Sequence, residues 1–377
     1  MNYLDKLLQG APVEWKALEE VLDYEQPTPF LVKSKEYSDE HETPVLTAGQ
    51  SFILGYTNET DGIYQASKEN PVIIFDDFTT SFHWVDFPFK VKSSAMKMLS
   101  PKEDTIDTIH FKYIFYAMKC IHYKPEDHAR QWISKYSKIK IPIPHLLSVQ
   151  KEIARILDAF TALTSELTSE LTLRQKQYQH YRDKLLTFGD NVEWKTLGEV
   201  LKRAKGTKIT AGQMKELHQE NAPIKIFAGG KTFALVNYGD IPDKDIHTKP
   251  SIIVKSRGII EFEYYDKPFS HKNEMWSYYS EDENICLKYV FYFLKSKETH
   301  FQQIGSKMQM PQIATPDTDK FKIPIPPIEE QKRIAGILDK FHTLTHSLSE
   351  GLPKEIELRR KQYEYYRDLL LGFDNLK

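Results

Sequence analysis

The chain has 377 residues, with 51 Lys and Arg against 53 Asp and Glu, a net charge of -2, and 40% hydrophobic and 28% charged residues. That composition suits a water-soluble globular protein with room for two or three cores. No apolar run suits a signal peptide or a membrane span, and Cys120 and Cys286 lie too far apart for a zinc or disulfide framework, so a cytoplasmic protein is expected.

In chain order, "YLDKLLQG" at Tyr3 is followed by "VEWKALEEVL" from Val13 to Leu22. Residues 30 to 110 carry short β-branched and aromatic runs such as "PVIIFDDF" and "FPFKVK", broken by Gly, Asn and Asp, which is the chemistry of strands and turns. "FKYIFYAMK" from Phe111 spaces its apolar residues as a packing helix does. In "KIPIP" from Lys140 the alternating prolines are expected to hold the chain extended, continuing neither a sheet nor a helix.

From Val149 the apolar positions Val149, Ile153, Ile156, Phe160, Leu163 and Leu167 step by four and three, a coiled-coil seam. A helix over residues 148 to 187, about 60 Å long, follows. Within it "TSELTSEL", residues 164 to 171, says one tetrad twice, and the added step from Leu167 to Leu171 is a stutter. The seam resumes through Arg174, Tyr178, Tyr181, Leu185 and Phe188. Each tetrad adds about 6 Å of helix, so the stretch reads as a spacer.

The chain then begins again. "VEWKTLGEVL" from Val192, "LKYVFYFLK" from Leu287, "KIPIPPIEEQKRIAGILDKF" from Lys322 and "RRKQYEYYRDLLLGF" from Arg359 repeat first-half blocks in the same order. This is a tandem duplication. "YLDKLLQG" resembles "YRDKLLTFG" at Tyr181 and "YRDLLLGF" at Tyr366, so the chain starts with the piece that each helical segment ends on, which implies a closed, pseudo-twofold arrangement. Pro327, Glu329 and Glu330 suit the first turn of the second long helix, and Gly351 and Pro353 in "SEGLPKE" predict a break in it. The segments between the shared blocks match poorly. Residues 30 to 140 hold 14 Lys and Arg against 15 Asp and Glu, whereas residues 201 to 322 hold 19 against 15.

Two unlike globules, each followed by a proline joint and a long helix in a duplicated chain, resemble the specificity subunit of type I restriction-modification enzymes. The resemblance spans essentially the whole chain and rests on "IPIP" leading into "QKEIARILDAF" and "QKRIAGILDKF", on "RQKQYQHYRDKLLTF" and "RRKQYEYYRDLLLGF", on "VEWKTLGEV" and on the TSEL tetrads. It implies an α+β fold, with two mixed α/β target-recognition domains separated by two long helices that form an antiparallel coiled coil with internal pseudo-twofold symmetry. The expected boundaries are 1–145 for the first recognition domain, with 1–12 completing the C-terminal unit, 146–188 for the central helix, 189–326 for the second domain and 327–377 for the C-terminal helix. The implied partners are double-stranded DNA with a bipartite site, two modification subunits that bring S-adenosylmethionine, and restriction and translocase subunits that bring ATP and Mg²⁺ chemistry. No membrane, metal or cofactor of this chain's own is implied, and the chain contains no GxxxxGK[ST], GxGxxG or [DN]PP[YF]. The separate specificity subunit of certain other bipartite-site restriction enzymes is a related reading.

Base-edge readout uses Arg, Lys, Asn or Gln in bidentate reach, with Thr and aromatics for apolar contact. In the second globule "GSKMQMPQ" offers Ser306, Lys307, Gln309 and Gln312, and the resemblance places a loop of this kind shortly before "IPIP". Lys231 of "GGK", Tyr264, Tyr265, His271 and Asn273 are further candidates. In the first globule "HARQWISKYSK" occupies the equivalent place without the Gly-Ser pair and offers His128, Arg130, Gln131 and Lys135; "FDDFTTSFHW" offers Thr79, Thr80, Ser81 and His83. The same stretch admits a hydrolase reading through Asp76, Asp77 and His83, against the plainer one of a hairpin. A coiled-coil scaffold with two protein-binding globules is the alternative from another class.

Overall fold

The computed structural model describes residues 3–373 except 9, 50, 126, 128, 190 and 307–309, with side chains from Lys6 onward. It divides into two compact units: the chain up to Leu167 together with the chain from Ile356, and Thr168–Glu355. Between the shared blocks the two globules match poorly in sequence, yet they have one strand order.

In the first unit a four-stranded antiparallel sheet runs Leu22–Glu25, Met96–Pro101, Val72–Asp76, Phe82–Val85. A three-stranded sheet runs Ile53–Thr57, Thr43–Leu46, Lys90–Val91, its second pairing parallel. In the second unit the orders are Lys202–Lys205, Trp276–Tyr279, Ser251–Lys255, Glu261–Tyr265 and Phe233–Val236, Ile224–Phe227, Phe269–His271, again with the last pairing parallel.

The central strands are apolar because both of their faces are covered. Along Val72–Asp76, Ile73 and Phe75 join the core that holds the helix Phe111–Met118, while Val72 and Ile74 join the core under the three-stranded sheet. Ile252 and Val254 face the helix Leu287–Ser296, and Ile253 packs with Phe227 and Phe269. This is the period-2 alternation of a strand with two buried faces.

The proline segments behave differently from expectation, because both form strands. Lys140–Pro144 pairs antiparallel with Val13–Ala17, setting Trp15 against Pro142 and Val13 against Pro144, and Lys322–Ile325 pairs with Glu193–Thr196. A two-stranded sheet has only edges, so prolines at alternate positions put their missing N–H groups on the outer side. Tyr113 uses that outer side, donating its hydroxyl to the Pro142 carbonyl at 2.6 Å, as Tyr289 does to Pro324 at 3.0 Å.

The central helix is continuous over Leu147–Leu185, whose 39 residues span roughly 58 Å. The C-terminal pair breaks after Ile328–His346 and resumes as Gly351–Leu371, with Gly351 at φ +76° and Pro353 in the new first turn. In the first unit Phe160 stacks on Tyr366 with centroids 5.1 Å apart; in the second Phe341 stacks on Tyr181 at 5.7 Å. Leu8 is buried in the same core as Leu370, Leu371 and Phe373. The buried face of the first helix half is wider than the seam, since Ala154 and Leu157 are buried beside Val149 and Ile153. This half packs on a globule as well as on a helix, which needs more than an a/d stripe.

Each globule joins its helix through the same bonds. Gln150 accepts from the His110 N–H at 2.8 Å and donates to the carbonyls of Thr108 at 3.1 Å and Pro144 at 2.8 Å. Gln331 accepts from Cys286 at 2.9 Å and donates to Asn284 at 3.1 Å and Pro326 at 2.7 Å. The Tyr116 and Tyr292 hydroxyls each donate to an aspartate of the helix, Asp158 and Asp339, at 2.6 Å. Lys112 and Lys288 approach the same carboxylates at 3.5 and 2.6 Å.

Candidate nucleic-acid interface

At one corner of the second globule three loops are bonded together. The first, Ser256 to Ile259, leaves the central strand; its Gly258 N–H donates to the Pro311 carbonyl at 2.9 Å, and its Ser256 carbonyl accepts from the Ile313 N–H at 3.0 Å. The Ser256 hydroxyl donates to the carbonyl of Glu274 in the second loop at 2.6 Å. In the third, the Gln312 N–H donates to Gly305 at 3.2 Å, and the Gln312 side-chain oxygen accepts from Arg257 Nε at 2.9 Å. The predicted Ser306 and Gln312 therefore flank this corner, both exposed; Lys307 and Gln309 lie outside the described residues.

The corner opens onto a groove of about 830 Å³ lined by Lys215, His218, Gly229, Gly230, Arg257 and Lys272. Exposed Phe233, Ile259 and Met310 add apolar surface to its walls. Lys272 is paired with Glu274 at 2.6 Å, whereas Lys215 and Arg257 join no ion pair among the described residues. The predicted Lys231 is exposed beside the Gly229–Gly230 turn, and Asn273 is exposed between two groove residues, Lys272 and Glu274. The result is a cationic cleft with apolar walls on a mildly basic globule, able to hold a polyanion and touch base edges.

Not every polar candidate faces outward. His271 is fully buried, between the Lys272 carbonyl and Ser277 Oγ, each at 3.2 Å, and burial lowers its pKa to about 4. It lies beside His247, with centroids 5.8 Å apart, so it is a neutral core residue with no edge for DNA. Tyr265 is half-buried against Phe227, and burial raises its pKa, helped by Glu263. Tyr264 is half-buried near Phe291.

The first globule repeats the corner with other side chains. The turn after Val72–Asp76 holds a residue at positive φ, Thr80 at +59°, as the turn after Ser251–Lys255 does with Gly258 at +74°. The Asp77 carbonyl accepts from the Gln131 N–H at 2.8 Å, and Asp77 N–H donates to Ala95 at 2.9 Å. The matching bond in the second globule runs from the Ile313 N–H to the Ser256 carbonyl, so Gln131 stands where Ile313 stands and the exposed Arg130 where Gln312 stands. Gln131 is fully buried, accepting from the Tyr123 hydroxyl at 2.6 Å and donating to Asp127 at 2.9 Å and Ala129 at 2.7 Å. Arg130 and Lys135 remain exposed, the latter 3.5 Å from Asp127. His128 is outside the described residues.

At the tip, Phe78 and Thr79 are exposed, and Thr79 shares a hydrogen bond with Ser81 at 2.8 Å. Thr80 is largely covered and donates to the Thr79 carbonyl at 2.7 Å. His83 is half-buried, 3.0 Å from the Gly49 carbonyl and against Phe52; burial lowers its pKa, with the carbonyl opposing. The hydrolase reading fails on geometry. Asp76 accepts from the N–H groups of Phe78 and Thr79 at 2.9 and 2.8 Å, and Asp77, fully buried, accepts from the Trp132 N–H at 2.7 Å and pairs with Lys97 at 3.4 Å. Both carboxylates hold the hairpin.

Arg257, Ile259, Lys215 and Lys272 were not singled out from the sequence. The signal available was "SRGII", an arginine and a glycine between two apolar runs, which marks a strand-to-strand turn presenting a cation.

A family model described as type I restriction modification DNA specificity domain matches residues 12–174 and again 190–358. The specificity subunit of the type I restriction enzymes EcoR124I/EcoR124II from Escherichia coli is 46% identical over 400 residues, covering 99% of this chain and 97% of its own. A putative type I restriction enzyme specificity subunit of Haemophilus influenzae is 33% identical over 405 residues, covering 99% and 98%. The solved S subunit of a type I restriction-modification system from M. genitalium shares the fold over 96% of both chains, with a TM-score of 0.67 at 15% identity.

Proposed function

This chain belongs to the family of type I restriction-modification specificity subunits, which carry target recognition and no catalysis, and on that premise we propose that it reads a bipartite DNA sequence, one half with each globule. Residues 1–145 and 189–326 are the two recognition domains, with 1–12 completing the C-terminal unit, and residues 146–188 and 327–377 are the helices that set the distance between half-sites. Two modification subunits dock on the chain and supply S-adenosylmethionine for adenine methylation; motor and nuclease subunits add the ATP and Mg²⁺ chemistry. Exposed Ser306, Gln312, Lys231 and Asn273 in the second domain, and Thr79, Arg130 and Lys135 in the first, are the contacts retained from the sequence.

One observation carries this reading. Two unlike sequences adopt one strand order over identical joints, which suits two readers of different targets held by one frame. The near-neutral net charge is compatible with it, because partner subunits then share the phosphate contacts. The test is to express the chain with its neighbouring modification subunit in a methylation-free host and map N6-methyladenine. A split motif with a fixed gap is expected. A well-formed complex that neither methylates nor binds DNA would overturn the reading in favour of a protein scaffold.

A further inference from the structure

We propose that Arg257 reads a guanine in the half-site contacted by the second domain, with Ile259 covering the neighbouring base pair; this rests on the DNA-reading function above. A guanidinium offers two edges that can form paired hydrogen bonds. At Arg257 the side edge is used, since Nε donates to the Gln312 oxygen at 2.9 Å. The end edge, with both Nη groups, has no hydrogen-bond partner among the described residues, and it has the fork spacing of guanine O6 and N7 in the major groove. A phosphate contact needs only a nearby cation, whereas reading a base needs an aimed one.

The aim is built into the backbone. The residues on either side of Arg257 are fixed, Ser256 by Ile313 and Glu274 and Gly258 by Pro311, so the arginine leaves a clamped turn. Gly258 has φ +74°, and no atom lies within 4 Å of where its Cβ would be, so the space before the tip is open. Ile259, 59% exposed, stands next on that tip, where an apolar branched side chain suits a thymine methyl. The first domain carries Phe78 and Thr79 on the corresponding turn, with Arg130 exposed at the place of Gln312. The two corners thus share a frame and differ in the groups they present, as two readers of different sequences must.

The experiment uses the full chain in complex with its modification subunit. It measures the methylated motif and direct binding to duplexes substituted one base pair at a time. With Arg257→Lys, preference at a single G·C pair of one half-site should fall by roughly 5- to 150-fold, with the other half-site unchanged. Gln312→Ala should relax the same position by less. Undiminished preference at every position in Arg257→Lys would overturn the proposal, as would a wild-type half-site without any G·C pair. Uniform weakening by Arg257→Ala, with the salt slope reduced by about 1, would make the residue a phosphate contact instead. Loss of binding to every duplex by Arg257→Lys would also count against it. A wild-type complex without sequence preference would instead defeat the DNA-reading function itself.

Discussion

Replacing Gln331 by leucine tests whether the joint under the second globule is as strong as its geometry implies. Gln331 is 1% exposed and makes three bonds, accepting from the Cys286 N–H and donating to the carbonyls of Asn284 and Pro326. Leucine keeps most of the volume and removes all three. At about 1 kcal/mol net per bond the loss is about 3 kcal/mol, and the Cys286 N–H left without a partner ahead of the helix Leu287–Ser296 adds up to about 1 more. For a unit of this size, 3–4 kcal/mol corresponds to a Tm roughly 6–16 °C lower. Thermal and urea unfolding of the full chain, with hydrogen exchange at Cys286, would read it. A loss below about 1 kcal/mol with unchanged exchange would refute the reasoning. Gln150→Leu should cost the first unit a similar amount, because its three bonds are the same. A difference above about 2 kcal/mol between the two would mean that the joint is not one device used twice.

The buried His271 should make the second unit acid-sensitive. Burial holds its folded pKa near about 4 while the unfolded chain takes up the proton near 6.5, so its stabilisation is complete above pH 6.5 and is lost as pH falls towards 4, up to about 3 kcal/mol. His271→Gln should flatten that slope in pH-dependent urea titrations; an unchanged slope would assign it to other groups. Asp77→Ala should destabilise the first unit by about 3–5 kcal/mol in the same assay, because Lys97, also fully buried, loses its counter-charge; a cost below about 1 kcal/mol would show that the pair contributes little. Deleting Thr168 to Leu171 shortens the central helix by about 6 Å and should shorten the gap between half-sites by one or two base pairs without changing either half-site. Methylation mapping that showed an altered half-site and an unchanged gap would remove the spacer idea.

Most of the frame was legible because its signals are periodic or punctuating. The seven-residue seam marked the central helix, and Gly351 with Pro353 marked the break. Pairing of the proline strands was hidden, because the rule against proline in sheets applies to interior strands. The joints were hidden for another reason. Gln150 and Gln331 stand in quoted repeats, but a polar residue in the first turn of a helix gives no sign of burial. Burial also undid His271 and Gln131 as DNA contacts. His271 shares a strand face with Phe269, two residues earlier, and that face is core, so strand parity was the clue available. Arg257 went unremarked because its role depends on Gln312, 55 positions away, and no local pattern shows that pairing.

The two halves of this chain act as each other's comparison, and what they keep and change follows a physical division. The kept groups are Gln150 and Gln331, Tyr113 and Tyr289, Tyr116 and Tyr292, and Asp158 and Asp339. Each either ties the long helix to the globule or bonds a backbone carbonyl at the root of the globule. None bonds to the three-stranded sheet or to the turn that carries Phe78 in one copy and Arg257 in the other. Energy that holds a globule in place is therefore separate from the surface that meets the target, and contributions at sites with no shared partners add independently. A side chain at the turn can change without loosening the joint, whereas a change at the joint disturbs position without choosing bases. One frame can thus carry two different globules, each held on its helix by the same joint.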